Sequence, residues 1–328
     1  MSFVLSGATQ DAAAVPRDPL ATLRTEAERI AGLVECRGTR AFLAATNALP
    51  AVEPRTVLYD AKAREAVTPE QHTRLATAEQ ARFQPTEYGP EFYYTTRYGS
   101  PLAYARALEV LGRAVGPATD ALSGKRILDF GYGGIGHLRM LASLGCDVVG
   151  VDVDSLLHAY YQPEDQGEVA SASSGKPGRL ALVHGRWPAE AAAKAAVGDG
   201  YDLVLSKNVL KQGYVRPAQE VDPRLLVDLG VPPEAFLAEV ARILKPGGHL
   251  LIYNLCPAPK PDRYLPWAYG ESPFTRAELQ GAGFELLAFD VEDHAAAREL
   301  GFALGWEQQG MDLEGDLFAW YTLARRKG

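Results

Sequence analysis

From residue 126 onward, short apolar runs alternate with stretches of helical spacing. Arg126–Phe130 (RILDF), Asp147–Val151 (DVVGV), Leu180–His184 (LALVH), Tyr201–Leu205 (YDLVL) and His249–Asn254 (HLLIYN) read as strands. Gly136–Leu144, Phe236–Leu244 and Thr275–Gly281 carry apolar residues at helical spacing, and Phe284–Val291 and Leu317–Arg325 close the chain as two further strands joined by an insertion. Strand–helix alternation is the pattern of a parallel sheet covered on both faces, so an α/β fold with seven strands is predicted.

The first 120 residues follow a different rhythm. Leu23, Ile30, Leu33 and Val34 sit at helical spacing between Pro19 and Asn47, while Gly32 and Gly38 leave one long helix or two shorter ones open. Pro69 behind Thr68 marks the start of another helix over PEQHTRLATAEQARF. Tyr88, Phe92, Tyr93, Tyr94 and Tyr98 crowd among glycines and prolines, as in an irregular aromatic connector, and Pro101 capped by Ser100 opens a further helix. The predicted organisation is a helical extension with an aromatic lid over 1–120 and an α/β domain over 121–328. The run GEVASASSGKPGR reads as a mobile surface loop.

The first strand runs into Gly131-Tyr132-Gly133-Gly134-Ile135-Gly136, a G-x-G-x-x-G placed between a strand and a helix. Glycines there tolerate positive φ and let the backbone approach a ligand, and amides at the helix start offer donors to a polar group. Asp152 ends the second strand, 21 residues after Gly131, where a carboxylate accepts both hydroxyls of an adenosine ribose; a solvated loop aspartate is the plainer reading. Asp154, two residues on, fits a helix cap. These features suit a dinucleotide as well as other adenosine cofactors.

Composition narrows the classes. Hydrophobic residues make up 47% and charged residues 23%, an ordinary globular balance. The net charge of −8 and the absence of a basic footprint beyond Arg325, Arg326 and Lys327 argue against nucleic acid as partner. Cys36, Cys146 and Cys256 are scattered, without disulfide or metal-ligand spacing, so no metal is expected. No basic leader or membrane-length apolar run is visible, and a cytoplasmic protein with a small-molecule substrate is expected.

The third strand ends in Gly185-Arg186-Trp187-Pro188, the fourth in Ser206-Lys207-Asn208, and a helix ends in Leu244-Lys245-Pro246-Gly247-Gly248 before His249-Leu250-Leu251-Ile252. Here the sequence resembles the class I S-adenosylmethionine-dependent methyltransferases, over about Lys125 to Arg325. The resemblance implies a Rossmann-like, mostly parallel seven-stranded sheet with an antiparallel last strand, and S-adenosyl-L-methionine as cofactor. Carried over position by position, it places Asp129 near the methionine amino group and Gly131, Tyr132 and Gly133 along the methionyl and ribose portions. It places Asp152 on the ribose, Val153 on adenine, and Gly185, Arg186 and Trp187 at the adenine edge. Many members have an aspartate where this chain has Arg186; a backbone group or stacking by Trp187 would then take over that role. Ser206 and Lys207 would face the cofactor, and Arg97 or Tyr98, in the connector before the sheet, would close over it. The Pro-Gly-Gly turn is structural in that family.

Methyl transfer needs alignment, exclusion of water and, for weak nucleophiles, a base. His158, Tyr160, Tyr161, Lys207 and Tyr214 are the candidates, each also readable as a packed or solvated side chain. Lys207 and Lys211, spaced by four, read as a solvated pair or as partners of an anionic substrate. Tyr264, Trp267 and Tyr269, in the proline-rich connection after the fifth strand, are candidate acceptor-pocket residues. His137 reads as a surface or structural residue, and His184 as a strand-end residue meeting local hydrogen-bond needs. Two alternatives stand beside the methyltransferase reading: an NAD(P)-dependent oxidoreductase using the same glycine loop, and a methyltransferase-like binding protein without catalysis.

Overall fold

The computed structural model describes residues 18–95, 99–172 and 175–328. Its central sheet is built from β4 (Arg126–Phe130), β5 (Asp147–Asp152), β6 (Gly167–Val169), β7 (Gly178–His184), β8 (Tyr201–Lys207), β9 (Leu244–Cys256), β10 (Phe284–Glu292) and β11 (Phe318–Arg326). Three preceding strands, β1 (Arg55–Asp60), β2 (Glu65–Val67) and β3 (Gln84–Tyr88), form a small sheet of their own.

The central sheet runs in the order β10-β11-β9-β8-β4-β5-β7-β6. The contacts β9–β8, β8–β4, β4–β5 and β5–β7 are parallel, and β11 lies antiparallel between β9 and β10. This is the Rossmann-like, mostly parallel arrangement with an antiparallel last strand that the resemblance implies. Alternating residues face opposite cores, as the two-residue period of a strand requires. Ile127, Val148, Leu203 and Leu251 enter one hydrophobic cluster, while Leu128, Val149, Val204 and Leu250 enter the other. Burial on both faces explains why the parallel strands are apolar runs rather than alternating ones.

One face is covered by helices that include Tyr104–Val115 and Gly136–Ala142 together with the N-terminal helices Pro19–Ala31 and Arg37–Ala44. Leu20, Ile30, Phe42 and Leu43 thus share a core with Ile127 and Leu205. The opposite face is covered by the helix Pro233–Ile243, through Phe236, Leu237 and Val240.

Three expectations are corrected. The N-terminal extension is not purely helical, because β1–β3 lie within it in the antiparallel order β2-β1-β3. These strands are short and turn through Arg64 at φ 60 rather than through a glycine, so ordinary hairpin signals are missing. The predicted loop after β5 begins with β6, which pairs antiparallel with β7 and gives the central sheet an eighth strand. The stretch read as one helix behind Thr68 is two short ones, Pro69–Arg74 and Thr77–Gln80, the first closed by a reciprocal Thr68–Gln71 capping box. A smaller difference lies at Lys245–Gly248, which interrupt the register between Tyr201↔Leu244 and Leu203↔His249, so the Pro-Gly-Gly run bulges at the start of β9.

Candidate functional site

The sheet order brings the C-terminal ends of β8, β4, β5 and β7 side by side, with the strand order reversing direction at β4. Such a switch point opens a crevice at the carboxyl ends of the strands, where ligands bind in open α/β sheets. Asp129, the glycine bend, Asp152, Gly185, Ser206 and Lys207 all fall at this edge.

At the bend, Gly131 takes φ 76 and Gly133 φ 60, which favour glycine. A Cβ on Gly131 would stand 2.4 Å from Cγ2 of Val209, so its bareness makes room for Val209 and not for a ligand. A Cβ on Gly136 would stand 2.4 Å from the Tyr94 carbonyl, so this glycine lets the helix Gly136–Ala142 pack close. The Tyr132 ring is buried against Gly150, leaving only the Tyr132 backbone at the bend.

Asp152 is tied to the bend. Its Oδ2 accepts from the Gly133 amide at 3.0 Å and its Oδ1 from the Asp154 amide at 3.0 Å. Burial pushes its carboxyl up to about 6, against the pull of these backbone donors. Asp154 caps the helix Ser155–Tyr160 by accepting from the Leu156 amide at 2.8 Å. Val153 beside it is 60% exposed and opens into a groove of about 440 Å³ between Val153–Ser155 and Arg64–Val67 of the small sheet. That wall is fixed to the central domain where Ser155 Oγ accepts from the Ala66 amide at 3.0 Å.

Asp129 is fully buried at the end of β4. Its Oδ2 accepts from the Tyr104 hydroxyl at 3.0 Å and faces Nε2 of His137 at 2.5 Å, while its buried Oδ1 has no hydrogen-bond partner among the described residues. A carboxylate only accepts, so Nε2 carries the proton. Burial lowers the affinity of His137 for a second proton, and its buried Nδ1 has no partner among the described residues. The imidazole stacks on Tyr104 with centroids 3.6 Å apart. Neither His137 nor Tyr104 was expected at the site. Their encounter depends on two helices meeting over β4, which no local pattern announces.

The two lysines are not a solvated pair, since Lys207 and Lys211 are 8% and 4% exposed. Burial lowers each ammonium to about 8, and the mutual repulsion acts on Lys207 in the same direction. Lys211 Nζ donates to the carbonyls of Leu255 at 2.6 Å and Trp267 at 3.4 Å, which pins the connection after β9 and removes Lys211 as a free anion binder. Lys207 Nζ makes no hydrogen bond among the described residues and stands 5.1 Å from the Tyr104 ring centroid.

Other candidates are placed elsewhere. Trp187 is 1% exposed and packs edge-on against Phe130 and Phe236, so its indole is a core group and does not stack on a ligand. Arg186 pairs with Asp228 at 3.2 Å, and Gly185 donates its amide to the Asp152 carbonyl at 3.0 Å. Buried Ser206 accepts from the Leu210 amide at 3.3 Å. Tyr161 is not a free base: its buried hydroxyl accepts from the Ile135 amide and donates to the Tyr93 carbonyl, each at 3.1 Å. Tyr160 is buried among Tyr88, Phe92 and Tyr93. Exposed His158 stacks on His184 at 4.4 Å. Tyr214 lies 5.4 Å from Lys211 Nζ. Tyr264 and Tyr269 stack at 4.6 Å beside half-buried Trp267 in the connection after β9. Arg97 and Tyr98 lie outside the described residues. Among the described residues no group of three or more His, Cys, Asp or Glu could hold a metal, and no helix is long and apolar enough to cross a membrane.

The strand order and its switch point at β4 define a Rossmann-like α/β domain. Comparison with known proteins gives no family model and no curated protein that matches. Among solved structures, the chain is similar to an S-adenosylmethionine-dependent methyltransferase from Mesorhizobium loti (16% identity, 68% of this chain and 98% of that one, TM-score 0.39). It is also similar to a Galdieria sulphuraria protein assigned as a sarcosine dimethylglycine methyltransferase (14% identity, 70% and 88%, TM-score 0.41). A third is phosphoethanolamine N-methyltransferase 2 of Haemonchus contortus, in complex with phosphomonomethylethanolamine and S-adenosylhomocysteine (16% identity, 70% and 55%, TM-score 0.38). Likeness at this level carries no argument about activity, and the functional reading rests on the chain's own residues.

Proposed function

We propose that this chain is an S-adenosylmethionine-dependent methyltransferase acting on a small-molecule acceptor. The observation that carries the reading is the Asp152 carboxylate, joined to the Gly133 amide at 3.0 Å with open Val153 beside it. A strand-end acid at a glycine bend suits a ribose, and an exposed apolar residue next to it suits a purine face. Oδ1 of Asp129 supports the fit, because a buried acceptor with no donor among the described residues suits one from a ligand.

S-adenosylmethionine supplies a methyl group activated by a positively charged sulfur. The chain's own residues bind and orient: Asp152 would accept the ribose hydroxyls, Val153 would pack on adenine, and Asp129 would accept from the amino group. The connection after β9, pinned by Lys211, would form the acceptor wall with Tyr264, Trp267 and Tyr269. Alignment and water exclusion are the main tasks of such a site.

Calorimetry with S-adenosylhomocysteine and with NAD(H) tests the reading. Binding of S-adenosylhomocysteine, lost in Asp152→Ala, is expected. Binding of NAD(H) alone would replace it with the oxidoreductase reading.

A further inference from the structure

The helix His294–Ala303 packs on β11 and on the helices Pro19–Ala31 and Tyr104–Val115. It turns one stripe to solvent, made by Ala295, Glu299 and Phe302 at spacings of four and three. Phe302 is 61% exposed, more than any other large apolar side chain among the described residues. A single exposed apolar residue is ordinary on a protein surface. Phe302 differs because an apolar groove of about 230 Å³ opens on its own helix, and the ring is not one of its walls. Those walls are Ile30, Leu33 and Val34 at the end of Pro19–Ala31, Ala105 from Tyr104–Val115, and Ala296 and Leu300. A cavity of roughly 150 Å³ holds a benzene ring, so one phenyl side chain has room here. Leu33, 40% exposed, leaves further apolar surface at the rim.

The groove also carries both signs of charge. Asp293 engages Arg106 at 2.5 and 2.7 Å. Arg113 is held less completely: its Nε donates to Glu109 at 3.3 Å and its Nη2 stands 3.7 Å from Glu35, which leaves donors for a further carboxylate. Glu299 is exposed on the same wall.

We propose that this groove is the contact surface between two copies of the chain, with the Phe302 ring of each protomer filling the groove of its partner. Phe302 stands six residues beyond Ala296, about 9 Å along the helix at about 1.5 Å per residue. A twofold axis beside Glu299, midway between them, runs the two copies of the helix antiparallel and sets each ring over the other groove. Such a contact is self-complementary and closes at two copies. The same axis turns Glu299 of each protomer toward Arg113 of the other, so the charges match as well. Neither Asp129, Asp152 nor Lys207 lines the groove, and the pairing does not depend on the cofactor reading.

Sedimentation velocity of the full chain at micromolar concentration tests this. Wild-type protein should run as a dimer, at twice the 35.4 kDa of one chain. Phe302→Asp removes the ring and Ala296→Trp fills the groove. Each should be monomeric, with the dimer dissociation constant raised at least about thirtyfold, as for loss of a central aromatic anchor. Circular dichroism should show both variants folded, because Phe302 is exposed and Ala296 faces the groove. Mixing the two is the sharpest arm. Phe302→Asp keeps an open groove and Ala296→Trp keeps the ring, so the mixture should associate through one intact contact, more weakly than wild type. Monomeric wild-type protein would overturn the proposal and leave the groove to a different partner. So would a dimer that survives both substitutions, which would lie on another surface, or monomeric variants whose mixture does not associate.

Discussion

The Gly133 amide donates to Oδ2 of Asp152 at 3.0 Å, so the glycine bend and the acid of the next strand form one unit without any ligand. The contact fixes the carboxylate at the end of β5. Burial is the largest influence on its acidity and holds it at about 6, against the pull of that donor.

That value gives a pH dependence. Ribose hydroxyls donate to the ionised carboxylate, and protonation removes part of that acceptor. Affinity for S-adenosylhomocysteine should therefore be level above about pH 6 and fall as pH drops through it, by at most about tenfold per pH unit. Calorimetry over that range checks this, and an affinity that does not weaken toward pH 5 removes Asp152 from the site.

Lys207 should cost stability in the ligand-free protein. Its folded-state value of about 8 lies below the ordinary 10.5, so between these values the unfolded chain binds more protons and stability rises with pH. Below about pH 8 the folded state carries a buried charge at a cost on the order of 3 kcal/mol. Lys207→Met should raise Tm at neutral pH, by about 2–4 °C for each kcal/mol recovered. Calorimetric melting reads the change, and a lower Tm would contradict it.

Arg55 anchors the small sheet. Its two terminal nitrogens meet the two Asp165 oxygens at 2.5 and 2.9 Å, and the Tyr93 hydroxyl donates to the same carboxylate at 2.7 Å. Burial alone would raise the Asp165 carboxyl, but Arg55 and Tyr93 hold it below the usual carboxylate range. Arg55→Ala leaves that buried carboxylate short of a cation, and a loss of about 2–4 kcal/mol is expected, less than for a fully buried pair. Hydrogen exchange should show β1–β3 opening first. Protection equal to wild type in those strands would refute the anchoring role.

Trp187 separates core packing from ligand stacking. Trp187→Ala should cost about 3–5 kcal/mol through the cavity it leaves among Phe130 and Phe236. Trp187→Phe should cost less and bind S-adenosylhomocysteine with wild-type affinity. A large affinity loss in the Phe variant, with the fold intact by circular dichroism, would return the indole to the adenine site.

Much of the central sheet was readable in advance because both of its faces are buried: runs such as DVVGV and YDLVL have few alternatives to a parallel strand. β1–β3 and β6 were not readable, since short strands paired mainly at a sheet's margin carry little apolar signal of their own. The site divides along the same line. Gly133 and Asp152 are linked by a local motif whose spacing is a property of the strand–turn–helix unit, and they meet as that spacing implies. Trp187 shares the neighbourhood in sequence but turns inward, because its ring buries more apolar surface against Phe130 and Phe236.

The sequence by itself determined the fold class, the strand that carries the glycine bend and the acid that closes the next one, because backbone conformation and apolar periodicity are local properties. Only the tertiary structure decided that Tyr104 and His137 converge on Asp129, that Lys211 is spent on carbonyls and that Lys207 makes no hydrogen bond among the described residues. Those outcomes depend on which helices pack over which strand ends, and hydrogen-bond partners far apart in the chain leave no trace in its spacing.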